Sequence, residues 1–313
     1  MPISFSVIIA TCDRPERLVR ALECVAAAID HADGGHEIIV VDNGGMRPAR
    51  DVVEKFAKGK SFPVRHLTSE PRNKAAALNV GIKTAQNNWL AFTDDDCLPT
   101  PEWLIQGGDF VRSYPDVQIF GGRIDADKPD FELPGWLKTI SSGHTVDSPS
   151  IVTYSPLDHS GFLDAEARVP YGANVFVSRE TAFENGGYNE LLWKRCGKSA
   201  LGSEDSEFAM RLRSAGIRIG YCHQAVVRHP IYRERITIMF HLRSFYHSGV
   251  REVLFPSKHR RTVRHAIKGF LVAGLGSVGY AVKGDWTASV WEAQNAAFCV
   301  GEIRGIWKYG EDV

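Results

Sequence analysis

The stretch WLAFTDDDC, residues 89–97, joins a short apolar segment directly to three aspartates. A short apolar run bounded by polar residues is typical of a buried strand in a parallel sheet, so residues 89–93 are predicted to form one. The three carboxylates then follow the C-terminal end of that strand. Open α/β sheets bind their ligands at this edge, so the stretch predicts both the fold class and the place of a site.

The three carboxylates themselves indicate a bound cation. Adjacent carboxylates repel one another unless a cation lies among them, and Mg²⁺ prefers oxygen ligands. In extended backbone, Asp94 and Asp96 point to one side and Asp95 to the other. The pattern predicts a divalent metal site, for Mg²⁺ or Mn²⁺, that holds a diphosphate. A solvated acidic turn is the alternative, and the preceding strand together with Pro99 and Pro101 favours the metal site.

Length and composition restrict the class of protein. A chain of 313 residues accommodates one large α/β domain with an appendage, or two small domains. Lys plus Arg and Asp plus Glu both number 37, which argues against nucleic acid as a partner. The six cysteines are scattered without a CxxC pair, and residues 1–13 lack the pattern of a signal peptide. We therefore expect a cytoplasmic protein with reduced thiols.

The first 120 residues alternate between strand and helix patterns. Strands are predicted at 5–10, 37–41, 64–67, 89–93 and 117–120, with helices after Pro15, after Pro48, at 74–85 and at 102–114. This alternation predicts a mostly parallel, doubly wound α/β sheet. Acids follow strands one, two and four, at Asp13, Asp42 and Asp94, which indicates a single crevice. Alternatively, each acid caps the next helix, and Thr11 or Asp13 is suited to cap the first.

The second part of the chain is less regular. Five prolines interrupt residues 121–170, which we interpret as a mobile wall over the crevice or as an insertion without a role. A strand is predicted at 171–177, and short strands at 218–222 and 225–228, the last ending at His229. A helix follows residues 203–205. Ser203 or Asp205 can cap it, and on position alone Glu204 and Asp205 are best read as first-turn acids that complement the helix dipole.

Seven segments in this order resemble the inverting glycosyltransferases of family 2, which have the GT-A fold. They are SVIIATCDRPERL, VVDN, KAAALNVGI, TDDD, GANVFVSRE, GSEDSEFAMRL and VRHP, and they extend over most of the chain as far as His229. Each motif is weak alone, but each falls on the element predicted for it. The resemblance implies a transferase acting on a nucleotide-sugar donor and a sugar or lipid-linked acceptor, in bacterial surface polysaccharide or glycolipid synthesis.

The resemblance also implies roles for residues of the nucleotide half. Thr11 and Asp13 would line the nucleotide pocket, and Asp42 would accept the N3–H of uracil or a similar base. Lys74 would lie near the diphosphate, on a helix supported by Asn79. Many relatives have glycine at the position before this lysine, where the present chain has asparagine, so the approach of the phosphate to the backbone differs there.

The same resemblance assigns the metal. Asp94 and Asp96 match the DxD motif that holds ribose and metal, and Asp95 between them counts with the donor-binding residues. His229 matches a position that supplies a further ligand to the metal or diphosphate. A divalent ion, Mn²⁺ or Mg²⁺, is therefore the expected cofactor.

The catalytic half is assigned in the same way. Asp205 matches the catalytic base, with Glu204 beside it, and Gly172 and Asn174 lie where donor and acceptor meet. Like charge and desolvation would raise the pKa of Asp205, whereas the helix N-terminus would lower it. Two rival classes stay open: a GT-A module that binds nucleotide-sugar without turnover, and a sugar nucleotidyltransferase. The absence of glycine from ATCDRPERL counts against the second.

The composition changes after His229, so we expect a catalytic domain over 1–230, with halves 1–120 and 121–230, and a helical extension over 231–313. Eight residues form a basic stretch: Arg251, Lys258, His259, Arg260, Arg261, Arg264, His265 and Lys268. The mostly apolar run 266–282 is shorter than the ~20 residues of a spanning helix. We expect this extension to dock on the inner face of the cell membrane without crossing it. Packing on the catalytic domain, or on a second subunit in a homo-oligomer, is the alternative.

Overall fold

The computed structural model describes residues 2–137, 141–142, 145–146, 148–197, 203–253 and 262–309. Its main sheet contains β1 (Phe5–Thr11), β2 (Glu37–Asp42), β3 (Val64–Thr68), β4 (Trp89–Asp94), β5 (Leu98–Pro99), β6 (Ile119–Asp127), β9 (Gly161–Phe162), β10 (Val175–Ser178) and β11 (Ile219–Pro230). A separate pair is formed by β7 (Ser141–Ser142) and β8 (Thr145–Val146).

The described chain also contains ten α-helices. They are α1 (Pro15–His31), α2 (Arg50–Ala57), α3 (Lys74–Thr84), α4 (Trp103–Ser113), α5 (Arg179–Glu184), α6 (Leu191–Cys196), α7 (Glu204–Ser214), α8 (Ile238–Glu252), α9 (Val263–Val282) and α10 (Trp286–Tyr309). Short 3-10 helices lie at Gly135–Leu137 and Arg233–Arg235.

The main sheet is mixed but mostly parallel. Its strand order is β3-β2-β1-β4-β10-β6-β11-β5, with β9 paired to β11. Strands β3, β2, β1 and β4 are parallel, and β11 is parallel to β6. Strand β10 runs antiparallel between β4 and β6. The predicted α/β class with a mostly parallel sheet is therefore confirmed, and the order is that of a GT-A-like fold.

Two apolar cores cover the two faces of this sheet. Alternate residues of β1 face opposite ways, so Val7 and Ile9 belong to one core while Ile8 and Ala10 belong to the other. Helix α1 packs on the first core through Leu18, Leu22 and Val25 at helical spacing, as predicted. A sheet covered on both faces directs its strand ends, rather than its faces, toward ligands.

Three local predictions are corrected. Residues 121–127 are not loop, because β6 continues to Asp127 as an interior strand between β10 and β11. The two strands predicted at 218–228 form one strand, β11, whose register shifts between Cys222 and Val226. The strand predicted from residue 171 begins only at Val175, because Asn174 N–H donates to the Tyr171 carbonyl in a turn.

The capping predictions also need correction. Helix α1 begins at Pro15 as expected, but its N-cap is Arg14 and receives no side-chain hydrogen bond. Neither Thr11 nor Asp13 caps it. At α7, Ser203 occupies the N-cap position without a capping side-chain bond.

Helices α8, α9 and α10 form the expected C-terminal helical extension, in which α8 and α9 each pack along α10. Near the start of α10, Thr287 Oγ1 lies 3.3 Å from the Gly135 carbonyl oxygen. On α8, the buried His241 Nε2 lies 2.7 Å from Ser150 Oγ. The extension therefore contacts the segment before and after the β7–β8 pair. The division at residue 230 stays a prediction.

Candidate active site

The ends of β1, β4 and β11 and the starts of α1, α3 and α7 surround one crevice, in which Lys74 has a central place. Its Nζ lies 2.6 Å from Asp94 Oδ1 and 3.3 Å from Glu204 Oε1. Burial disfavours the ammonium, but Asp94, Glu204 and Asp205 outweigh it and raise the pKa of Lys74 well above its ordinary value. One cation thus joins the aspartate run after β4 to the acidic pair that begins α7.

The three aspartates at the C-terminal end of β4 face different surroundings. Asp94 contacts Lys74, whereas Asp95 is fully buried and accepts a 2.7 Å hydrogen bond from Thr11 Oγ1. Arg14 lies 2.8 Å from the other oxygen of Asp95. Burial raises the pKa of Asp95 to about 6, against the opposing charge of Arg14. Both oxygens of Asp95 therefore have protein partners beneath the crevice. Asp94 and Asp96 are the aspartates that can contact a ligand.

Asp96 is surrounded by arginines that the sequence reading did not assign to the site. Arg14, Arg17 and Arg235 each place a guanidinium nitrogen 3.0–3.4 Å from its Oδ2. Arg17 also stacks on the Tyr232 ring at 3.7 Å. Arg14 also pairs with Asp95, and Arg17 also pairs with Glu234. Guanidinium groups bind phosphate as well as carboxylate, so a cluster of three is suited to bind an anionic ligand such as a diphosphate.

The sequence does contain a signal for this cluster. Arg14 and Arg17 lie at the start of α1, where the helix dipole disfavours positive charge. Arginines at such a position require anionic partners elsewhere in the fold. Those partners, Asp95 and Asp96, are about 80 residues distant in the chain, so the spacing within α1 does not identify them.

The candidate metal ligands differ in part from those expected. Ligand atoms of Asp96, Cys97 and His229 lie within 4.8 Å of one another. Asp94 is not in this group and contacts Lys74 instead. Burial lowers the pKa of His229, so its imidazole is neutral near pH 7 and able to bind a metal. The Asp96 carboxylate suits Mn²⁺, and histidine is the commonest metal ligand in proteins. Asp96 and His229 therefore fit the expected ion.

Asp205 is a buried carboxylate with two backbone hydrogen bonds. Its Oδ2 accepts a 2.6 Å hydrogen bond from Gly172 N–H, and Oδ1 accepts one of 2.7 Å from Ser206 N–H. Burial and then the neighbouring Glu204 raise the pKa of Asp205 to about 6, although Lys74 and the two amides oppose the shift. A carboxylate with this pKa accepts a proton readily at neutral pH.

Helix α8 brings a further cation to this side of the crevice. Arg251 lies at the C-terminal end of α8. Burial lowers the pKa of Arg251, and the charges of Asp205 and Glu204 oppose this shift. The sequence analysis placed Arg251 in the basic stretch; in the structure it is half-buried and feels the charges of the acids that begin α7, and a contact with membrane stays a prediction. Lys258, His259, Arg260 and Arg261 of that stretch lie outside the described residues.

The predicted nucleotide-pocket acids organise the loop after β2. Asp13 Oδ1 accepts hydrogen bonds from the backbone N–H groups of Gly45, Met46 and Arg47, chiefly the last two, which lower its pKa. Asp42 accepts from Gly44 N–H at 2.8 Å and from Ala49 N–H at 2.7 Å. Both acids thus shape one wall of the crevice, and their contact with a base stays a prediction.

The two predicted asparagines have structural partners. Asn174 is fully buried, and its amide joins Trp103, Arg123 and Ala225 at 2.8–2.9 Å, so the structure does not bring it to the crevice surface. Asn79 bonds both backbone groups of Tyr188 at 2.8–2.9 Å and thereby fixes α3 against the turn after α5. Gly172 is at the site, since a Cβ there would lie 3.2 Å from Asp205.

Comparison with known proteins agrees with this geometry. Residues 6–149 match the sequence profile of Glycosyl transferase family 2. The glycosyltransferase AglE of Haloferax volcanii is 23% identical over 72% of this chain and 66% of its own length. The glucosyl-dolichyl phosphate glucuronosyltransferase of the same organism is 25% identical over 80% of this chain and 78% of its own.

A solved structure shows the same fold. The mannosyltransferase PcManGT of Pyrobaculum calidifontis, in complex with GDP-Man and Mn²⁺, superposes with a TM-score of 0.61 over 98% of this chain and 89% of its own, at 16% identity. The likeness shows a shared fold. Residues 6–149 belong to glycosyltransferase family 2.

Proposed function

We propose that the protein transfers one sugar from a nucleoside diphosphate sugar to an acceptor hydroxyl, with inversion at the anomeric carbon. The observation that supports this most strongly is the position of Lys74 between Asp94 and the Glu204–Asp205 pair. Lys74 joins Asp94, at the end of β4, to the acids that begin α7. The carboxylate suited to bind the donor and the one suited to act as a base therefore lie in one crevice. A single displacement needs these two functions on opposite sides of the reacting carbon.

The reaction balances with the residues present. Asp205 accepts the proton of the acceptor hydroxyl while that oxygen forms a bond to the anomeric carbon. The bond between this carbon and the diphosphate oxygen breaks, and the nucleoside diphosphate leaves with the electron pair. Its negative charge develops where Lys74 and the arginines at Asp96 can stabilise it.

A divalent ion fits the same part of the crevice. Asp96 and His229 would hold it, with Cys97 close by. The ion would neutralise charge on the leaving diphosphate. The arginines on Asp96 would turn toward the phosphates, so the site would exchange one set of charge partners for another when the donor binds.

The substrates are proposed from chemistry and from the relatives. We propose a UDP-sugar donor and a lipid-linked or sugar acceptor in surface polysaccharide or glycolipid synthesis. The relatives named above include a glucosyl-dolichyl phosphate glucuronosyltransferase and a mannosyltransferase whose structure contains GDP-Man. GDP-sugars are therefore the second donor class to test. The chain lacks the QxxRW segment that accompanies processive synthesis in the resembling enzymes, which favours transfer of a single sugar.

The donor class is tested by a thermal-shift screen of UDP- and GDP-sugars with and without Mn²⁺. We expect one nucleotide class to raise the melting temperature only with metal, and the Asp205→Asn variant to respond as the parent does. A response to nucleoside triphosphates with release of pyrophosphate would instead indicate a nucleotidyltransferase. Binding without release of nucleoside diphosphate under any acceptor condition would indicate a binding module.

A further inference from the structure

Helix α9 packs on its neighbour through small residues. Ala266 and Ala273 are buried, and a Cβ at Gly269 would lie 2.9 Å from Cys299 Sγ on α10. One turn further on, Ser277 Oγ donates to the Ser289 carbonyl oxygen at 2.9 Å. The spacing of these positions is that of one helix face. The face of α9 that is covered by protein is therefore its least bulky one.

The large apolar residues of α9 point away from the protein. They recur at intervals of three and four and form what we call the α9 apolar face: Val263, Ile267, Phe270, Leu271, Leu275, Val278 and Val282. Leu275 is 75% exposed and Val282 is 83% exposed. A helix that packs on a protein core normally has the opposite arrangement. A contiguous apolar surface of this kind marks a site of interaction with a protein or a membrane.

The charges around this face indicate an anionic partner. Within α9 the charged residues are basic, and Arg264 and Lys268 are exposed on its first two turns. Residues 253–284 contain no Asp or Glu. On α10, Trp286 and Trp307 are exposed by 66% and 77%, and tryptophan is favoured at the boundary between lipid and water. A second copy of the same face would offer no opposite charge.

The neighbouring helix excludes a spanning arrangement. Helix α9 has the length and apolar composition to cross a bilayer, with 20 residues and only 11% of its apolar window buried. However, one side of it packs along α10, which contains Glu292, Asn295, Glu302 and Arg304. Carrying these polar side chains into hydrocarbon is costly. A helix lying in the plane of the surface avoids this cost.

We propose that the α9 apolar face docks the enzyme on the surface of an anionic bilayer, with the helix axis parallel to the membrane. The apolar side chains enter the boundary between head groups and acyl chains. Arg264 and Lys268 meet anionic head groups. This surface is distinct from the crevice, so its function can be measured without substrate.

Co-sedimentation of the full chain with vesicles tests the proposal. We expect binding to phosphatidylcholine vesicles that contain phosphatidylglycerol, weaker binding at high salt, and little binding to phosphatidylcholine alone. Replacing Arg264 and Lys268 by alanine should weaken partition by roughly 30-fold, because each basic residue near an anionic surface contributes about 1 kcal/mol. The double variant Leu271→Glu with Leu275→Glu should abolish binding. Phe183→Glu is the matched control, since this side chain is 62% exposed on α5.

Four results would overturn the proposal. They are absence of binding to both vesicle types, equal binding to both, unchanged binding of the Leu271→Glu/Leu275→Glu variant, and resistance of the membrane-bound protein to alkaline extraction, which would mean that α9 spans. Light scattering on the parent and on Leu275→Glu measures whether the α9 apolar face forms a dimer instead. A dimer that only the parent forms, without vesicle binding, would assign the face to a second copy.

Discussion

Replacing Asp205 by Asn should remove transfer and, at neutral pH, stabilise the fold. Transfer should fall by about 10²–10⁴-fold, the usual contribution of a general base. The parent carries a buried carboxylate whose pKa is raised from 3.8 to about 6, and this interval corresponds to ~3 kcal/mol of unfavourable ionisation. Asn has no ionisation cost, but it has only one oxygen and therefore loses the hydrogen bond from either Gly172 N–H or Ser206 N–H, which costs roughly 1 kcal/mol.

The pH dependence separates these two effects. Because the folded state binds the proton of Asp205 more tightly, this group stabilises the fold at low pH, and that contribution is lost as pH rises toward and through 6. The lost hydrogen bond does not depend on pH. Between pH 5 and pH 8, the free energy of unfolding of the variant relative to the parent should therefore rise by ~1.4 kcal/mol.

Urea unfolding of both proteins at pH 5 and pH 8 measures this change. Asp30→Asn, on the exposed side of α1, is the control and should show no such rise. A relative stability of the Asp205 variant that is constant over this range, or that falls with pH, would refute the buried-base account. So would activity within a few-fold of the parent.

Three further changes probe the crevice. Asp96→Ala should abolish metal-dependent donor binding in a thermal-shift titration, and full activity of the parent in excess EDTA would contradict the metal assignment. Gly172→Ala should slow transfer roughly 10-fold without weakening donor binding, because its Cβ would displace the Asp205 carboxylate. Gly135→Ala, which meets nothing within 4 Å, is the control. Arg235→Ala should weaken donor binding by roughly 10-fold or more in calorimetry, whereas Arg233→Ala, which stacks on an aromatic ring, should not.

The parts of the fold that depend on local pattern were predictable. The apolar run of β4 and the helical spacing of α1 identify their elements because each is encoded in consecutive residues. Strand β10 was not predictable as the antiparallel member of the sheet. Its four residues carry no mark of direction, which depends on pairing with β4 and β6.

The site was predictable where motifs supply the ligands and not where distant residues supply their partners. Lys74, Asp94 and Asp205, which the resemblance assigned to the site, lie in one crevice, and their roles there stay predictions. The contact of Arg14 and Arg235 with Asp96 joins segments 82 and 139 residues from it, which no periodicity reveals. The apolar composition of α9 was evident in the sequence, but its pattern does not state which face the protein covers.

The central claim is that Asp205 drives turnover of a nucleoside diphosphate sugar. Phosphorus NMR of the enzyme with Mn²⁺, the donor selected by thermal shift and a panel of lipid-linked and free-sugar acceptors tests it most directly. Nucleoside diphosphate is expected to appear with the parent, and its rate of appearance should fall at least about 100-fold with Asp205→Asn, at unchanged donor binding. Release of pyrophosphate or nucleoside monophosphate, or equal rates for both proteins, would contradict it.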